Sequence, residues 1–308
     1  MPTTKEKGEM ISFPDFSGEV HEGKVSDAII HEFREFVFSY YQKHGRHDML
    51  WRHTTDPYLI TVSEVMLQQT QVSRVEVIFP RFIAQFPTAE ALAAASEAEV
   101  ISAWQGMGYN RRALSLQKLC RIVIEKYGGL FPKTPEELIE LPGIGPATSC
   151  SIAAFAFNAP VVFIETNIRR IFIHCFFRDR DGVDDADLFP LVKAALPENS
   201  REWYWALMDL GSVMKQSAGN PNRKSRQYVK QSAFEGSKRQ VRGRVLKQML
   251  KTEKADAQTL SKILSCPSDV VSEVLETMTK EGFFVRETEG YYRIKSAPNR
   301  EENNPQKR

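Results

Sequence analysis

No stretch of this 308-residue chain approaches the ~20 consecutive apolar residues of a membrane-spanning helix. The opening residues, Met1 to Gly23, are polar and lack the charged-then-apolar order of a secretory signal. Both absences argue for a cytoplasmic protein without a membrane partner. Cysteine is scarce: Cys120, Cys150, Cys175 and Cys266 stand far apart, with neither a CxxC pair nor any cluster spacing. They read as buried small hydrophobes rather than metal ligands. Strand patterns are few, and internal repeats are missing. The composition, 42% hydrophobic and 26% charged, is that of an ordinary globular protein long enough for two domains with their own cores.

Charge is nearly balanced at +2, but it is segregated. Lys215 to Lys251 holds eleven Lys or Arg and one acid, Glu235, so this segment carries +10 and the rest of the chain −8. Such concentration in an otherwise acidic chain points to a polyanionic partner, although a run of solvated lysines is the plainer alternative.

Helical patterns fill most of the chain. Ser26 caps a helix with apolar positions Ile29, Ile30, Phe33, Phe36, Val37 and Tyr40, ended by Gly45. A second helix is predicted over 60–71, and a third from there to Phe86. Ser96 with Glu99 and Thr134 with Glu137 read as capping boxes, the latter with Pro135 at the first helical position. The helix from Pro146 is rich in small residues, and 202–214 reads as amphipathic. After about Gly219 a polar, basic stretch leads to helices at 239–252, 257–264 and 268–281. Two alternating strands around a turn follow. Three helices and a hairpin suggest a winged helix-turn-helix. Its candidate recognition helix carries Asp269, Glu273, Glu276 and Glu281 against Lys280, which suits DNA poorly.

The densest information lies between 141 and 170. Pro142-Gly143-Ile144-Gly145 forms a tight turn before a new helix, which would aim backbone N–H groups at an anion. Glu165 ends the apolar run Val161-Val162-Phe163-Ile164. A second acid, Glu64, has mostly apolar helix neighbours, so a raised pKa and a proton-donor role are expected. A capping or surface glutamate is the plainer reading. Gln68, Gln69 and Gln71 supply donors and acceptors suited to base edges. Tyr109, Arg111 and Arg112 follow a glycine-hinged loop, where an aromatic stacks on bases and arginines hold phosphates.

The order SEVMLQQTQ, GMGYNRR, LPGIGPATS, IETNIRR and MDLG resembles the helix-hairpin-helix DNA glycosylases, and is most similar to MutY-type adenine glycosylases, over roughly residues 28 to 214. The resemblance implies an all-α, two-lobed glycosylase domain, and the C-terminal pattern of helices and hairpin adds a small winged-helix-like α+β domain after it. The corresponding expected boundaries are a disordered tail over 1–24, the glycosylase domain over 25–219, a basic linker over 220–238, the winged-helix-like domain over 239–296 and a second tail over 297–308. It also implies that Glu64 protonates the base, that Glu165 and Asn167 take the place of the family's aspartate and asparagine, and that Tyr109 wedges into the duplex with Gln68 and Gln69. Gly143, Ile144 and Gly145 would hold a phosphate, with a potassium or sodium ion at the hairpin, and Asp209 matches the acid of the late (D/E)LG motif.

Four departures accompany the match. Glutamate replaces the family's aspartate at 165. Ala147 stands where the related endonuclease III branch has its Schiff-base lysine, so strand cleavage through an imine is not expected. The cysteines of the family's iron–sulfur cluster are absent between Gly211 and Arg239. Arg223, Lys224 and Arg226 are expected to contact DNA in its place. The domain that recognises 8-oxoguanine opposite the adenine is not evident. The expected activity is monofunctional excision of mispaired adenine from double-stranded DNA by a monomer. A thymine or uracil mismatch glycosylase, or a non-catalytic lesion-binding protein, are the alternatives.

Overall fold

Short polar side chains set the helix starts, as their hydroxyl and carboxyl groups satisfy N–H groups left open in a first turn. Ser26 accepts from Ile29 N at 3.4 Å and begins Asp27–His44, whose end is marked by Gly45 N–H bonding to Tyr41 O. Ser96 and Glu99 form a reciprocal capping box at Glu97–Ala103. Thr134 accepts from Glu137 N at 3.4 Å at the head of Pro135–Leu138, but the Glu137 side chain bonds the Thr134 hydroxyl rather than its backbone. Asp56, unassigned by sequence reasoning, accepts from Tyr58 N and starts Pro57–Leu67.

The structure is a computed structural model that describes residues 11–217, 219–230 and 234–295. The tail expected over 297–308 and the first ten residues lie outside the described residues. Residues 11–24 depart from the expected disordered tail. Phe16 is buried against Phe33 and Phe176, and its N–H bonds to Cys175 O at 2.7 Å. An aromatic side chain with a core site explains the order there.

The chain divides into two compact units, each assembled from separated stretches. The first takes in residues 11–60, Lys133–Ile139 and Gly145–Lys230. Its core centres on Phe33, which meets Phe16, Phe172, Phe176 and Trp203 edge-on at ring distances of 5.0 to 6.5 Å. Helices Asp27–His44, Thr166–Phe176 and Ser200–Ser217 supply all of these rings but Phe16, which lies ahead of the first of them.

The second unit takes in Thr61–Pro132, Glu140–Ile144 and residues 234–295. It contains Val72–Gln85, Ala89–Ala94, Glu97–Ala103 and Arg111–Tyr127. Its C-terminal part comprises Lys238–Met249, Ala257–Leu264, Ser268–Lys280 and an antiparallel pair, Phe284–Arg286 with Tyr292–Ile294. Ala255 adds an antiparallel bridge to Tyr292. The chain is thus mostly helical with a small α+β element, as the sequence pattern indicates. That element does not keep a core to itself: Ile101 and Leu114 are buried in one cluster with Val245, Leu246, Met249, Leu260 and Phe284.

Candidate active site

Glu64 lies on Pro57–Leu67 and is partly buried, while Val62, Ser63, Val65 and Met66 beside it are each at most 1% exposed. The helix ends at Leu67, four residues earlier than expected, so Gln68, Gln69 and Gln71 occupy a turn and not a helix face. Gln69 is exposed and left-handed at φ 54°. Gln71 is exposed too, and its side chain takes no part in capping Val72–Gln85. Gln68 is engaged differently: its Nε2 donates to Gly143 O at 3.2 Å, which ties the turn to the hairpin.

What fixes this turn is Arg112. Its Nη1 reaches Val65 O (2.7 Å), Met66 O (2.9 Å) and Gln68 O (2.6 Å). Its Nη2 reaches Thr70 Oγ1 (3.0 Å), Met107 O (3.4 Å) and Gly108 O (3.0 Å), and its Nε reaches Tyr109 O (3.4 Å). The forked donors suit this role, because carbonyls from a helix end and from two loops converge on one guanidinium. Arg112 is 9% exposed, and burial lowers its pKa to about 10, so it stays charged at neutral pH. The expected phosphate contact of Arg112 is therefore corrected: the guanidinium is enclosed by carbonyls. Arg111, one residue earlier, is exposed.

Tyr109 stands at the other end of the clamp. It is 40% exposed and left-handed at φ 45°, a conformation that costs a non-glycine residue of order 1–3 kcal/mol and persists only where the surroundings impose it. Fully buried Trp104 donates from Nε1 to Gly108 O at 3.3 Å, and Arg74 donates to Gly106 O at 2.8 Å. The Arg112 and Arg239 guanidinium carbons lie 5.6 and 5.9 Å from the Tyr109 ring centroid, and Arg239 Nη1 donates to its hydroxyl at 2.8 Å. Sequence reasoning missed Arg239, which looks like any other cation of the basic run.

The hairpin turn is type II in character. Leu141 O accepts from Ile144 N at 3.2 Å, Pro142 and Gly143 are its central residues, and Gly143 has φ 83°. A Cβ at Gly143 would come within 2.9 Å of Ser115 Cβ, a second reason for glycine. Ile144 is 7% exposed and its N–H closes the turn, which corrects its expected phosphate contact. Gly145 is the N-cap of Pro146–Phe157. Ala147, at the second helical position, is exposed.

In the first unit Glu165 proves to be the N-cap of Thr166–Phe176. Its Oε1 accepts from Asn167 N (2.6 Å) and Ile168 N (3.0 Å), and its Oε2 from Asn167 Nδ2 (3.3 Å). Asn167 Oδ1 accepts from Arg170 Nη1 at 2.8 Å, and the same Nη1 donates to Gly211 O. Buried Arg170 thus orients Asn167, which in turn orients Glu165. Burial pushes the Glu165 carboxyl above the usual glutamate range, while the N–H groups of Ile168 and Asn167 and the charge of Arg170 pull the other way. Gly211 is required at this crossing, since a Cβ there would fall 2.5 Å from Asn167 O.

Asp209 is 3% exposed and accepts from Arg46 N (2.7 Å), Arg46 Nε (2.7 Å) and both Arg52 Nη atoms (2.8 Å each). It braces the first unit and holds its charge through the arginines against burial.

The 219–230 segment carries no thiolate, so an iron–sulfur cluster does not fit there. Hydrogen bonds stitch it down instead. Asn222 Nδ2 donates to Thr166 O at 2.9 Å, Val183 pairs with Ser225, and Lys224 Nζ donates to Arg178 O. Lys224 is thus also engaged within the fold. Arg223 and Arg226 are exposed. Among the described residues, no group of three or more His, Cys, Asp or Glu is placed to hold a metal ion, and no helix is long and apolar enough to cross a membrane.

Residues 62–188 match the family model of the HhH-GPD superfamily of base excision DNA repair proteins. The chain is 36% identical over 230 residues to an adenine DNA glycosylase of Mycolicibacterium smegmatis, covering 68% of this chain and 78% of that one. It is 30% identical over 184 residues to an adenine DNA glycosylase of Buchnera aphidicola, covering 59% of this chain and about half, 52%, of that one. Among solved structures, a thermostable thymine-DNA glycosylase shares the fold with a TM-score of 0.54 at 24% identity, over 61% of this chain and 88% of that chain. The chain belongs to the HhH-GPD superfamily of base excision DNA repair proteins and, within it, to the adenine DNA glycosylase family.

Proposed function

We infer that this chain is a monofunctional DNA glycosylase of base excision repair that hydrolyses the N-glycosidic bond of adenine mispaired with 8-oxoguanine or guanine. The observation that carries the reading is Glu64, partly buried among buried neighbours on a helix inside the matched region. A base within a duplex is out of reach of side chains, so the target nucleotide has to rotate out of the stack. Tyr109 and Gln69, exposed and held in left-handed conformations, suit filling the gap. Glu64 then donates a proton to a ring nitrogen of the base and makes it a better leaving group. The ionised Glu165 carboxylate offsets the positive charge that develops on the sugar until water completes hydrolysis.

Ala147 has no amine with which to form an imine, which supports base release without strand cleavage. Gly143 and Gly145 supply hairpin backbone for a phosphate, and no step depends on the potassium or sodium ion implied at the hairpin. Exposed Arg111, Arg223 and Arg226 supply charge for the DNA backbone. The enzyme acts as a cytoplasmic, DNA-associated monomer. Single-turnover base release from duplexes carrying A opposite 8-oxoguanine, A opposite G, T opposite G and U opposite G tests the reading. Release of adenine, abolished by Glu64→Gln with DNA binding retained, is expected. Release of only thymine or uracil would reassign the substrate, since a like fold also carries a thymine-DNA glycosylase. Release of no base would leave a lesion-binding role.

A further inference from the structure

The C-terminal winged-helix-like element is unexplained by the chemistry above. Its third helix is acidic, and much of the charge on its first helix is tied up inside the element. Lys238 pairs with Glu273, Arg242 pairs with Glu281, and Arg244 donates to Leu264 O. Arg239, on that same first helix, points elsewhere. It donates to the hydroxyl of Tyr109 at 2.8 Å and places its guanidinium carbon 5.9 Å from the ring centroid.

The mounting of this contact is rigid at both ends. Val245, Leu246 and Met249 fix the helix that carries Arg239. The same cluster buries Ile101 from the helix before the Tyr109 loop and Leu114 from the helix after it. Arg112 lies 5.6 Å from the ring as well, so two cations restrain a side chain that is otherwise 40% exposed. A half-exposed tyrosine on a glycine-flanked loop would sample several rotamers, and entering a duplex would then carry the cost of choosing one. A donor on the hydroxyl and cations near the ring make that choice beforehand.

We propose that Arg239 is a positioning residue for Tyr109, through which the C-terminal element takes part in opening the duplex. This rests on the reading of Tyr109 as the wedge. The element then acts on the wedge as a brace, and its acidic third helix needs no DNA contact of its own.

The test is a double-mutant cycle of Arg239→Ala and Tyr109→Phe in the full chain, using a fluorescent purine analogue beside the target base to report extrusion. Thermal midpoints and the salt dependence of binding to undamaged duplex are measured alongside. Each single variant is expected to lower the extrusion rate roughly tenfold, the scale of one lost charge-assisted hydrogen bond. The double variant should be no worse than the weaker single one within about twofold. Midpoints and salt slopes should stay at the wild-type values.

Effects that multiply in the double variant, or a salt slope reduced by about one in Arg239→Ala, would mean a direct phosphate contact and overturn the proposal. Wild-type extrusion by Arg239→Ala would overturn it as well. Extrusion is read before any bond breaks, so a failure to release adenine would count against the assigned substrate and leave this result standing.

Discussion

Arg170 and Asn167 share a hydrogen bond, Nη1 to Oδ1 at 2.8 Å, that settles which way the Asn167 amide faces. With its oxygen turned to the arginine, the amide nitrogen donates to Glu165. The carboxylate is therefore held in place through Asn167 by a buried arginine. Arg170→Lys keeps the charge but loses the fork, and should slow single-turnover excision by roughly tenfold, the scale of one such bond.

The pH profile separates this effect from simple misfolding. Burial raises the Glu165 pKa and Arg170 opposes that shift, so the carboxylate is ionised only above a value higher than that of an ordinary glutamate. Excision that needs this ion falls as pH drops through that raised pKa. Arg170→Met removes the opposing charge and should move the acid limb to higher pH. An unmoved limb would remove Glu165 ionisation from the rate.

Two adjacent arginines should behave in opposite ways. Arg112→Ala strands several buried carbonyls and should cost about 3–5 kcal/mol, read as a lower urea midpoint. Arg111→Ala, at an exposed position, should leave stability within about 0.5 kcal/mol. It should lower the salt slope of DNA binding by about one. Equal effects at the two sites would contradict the clamp.

That contrast marks where the sequence stops being readable. Helix starts were legible because caps are local, as at Ser26 and Ser96. The C-terminal helices fell within three residues of their expected ends, though only Ala257–Leu264 has a side-chain cap, Asp256. The turn at Gln68 to Gln71 was not legible, since it contains no glycine or proline. It is held by Arg112, some forty residues later. Nothing in the order Arg111-Arg112 says which side chain turns inward. Likewise, Glu165 looked like a bare acid after an apolar run, while its helix-capping role depends on a helix that periodicity did not pick out. The shared cluster of Ile101, Leu114 and the C-terminal helices is a long-range pairing with no local signal.

His174 gives the first unit a pH-sensitive seam. Burial and then Arg178 lower its pKa. Arg178 Nη2 lies 3.2 Å from its Nε2, so the neutral ring accepts there, and the Phe13 ring meets it in an edge-to-face arrangement at 5.3 Å. An unfolded chain takes up this proton near pH 6.5, before the folded one does. Stability is therefore lost as pH falls from about 6.5 towards the lowered folded value. His174→Phe should flatten the fall in thermal midpoint between pH 7.5 and 5.5, and an unchanged fall would place the pH sensitivity elsewhere.

Glu165→Asp probes the departure from the family pattern most directly. Aspartate is among the favoured N-cap residues, so the shorter acid can still serve N–H groups at the second and third helical positions. Stability should stay within about 0.5 kcal/mol. The carboxylate, however, would withdraw by about one bond length from where Asn167 and Arg170 now hold it, and positioned catalysis loses ~10²-fold for an error of that size. Single-turnover excision should therefore fall by roughly that factor. A faster variant would mean that the extra methylene of Glu165 impedes the native reaction, and that the Arg170–Asn167 brace supports the helix rather than the chemistry.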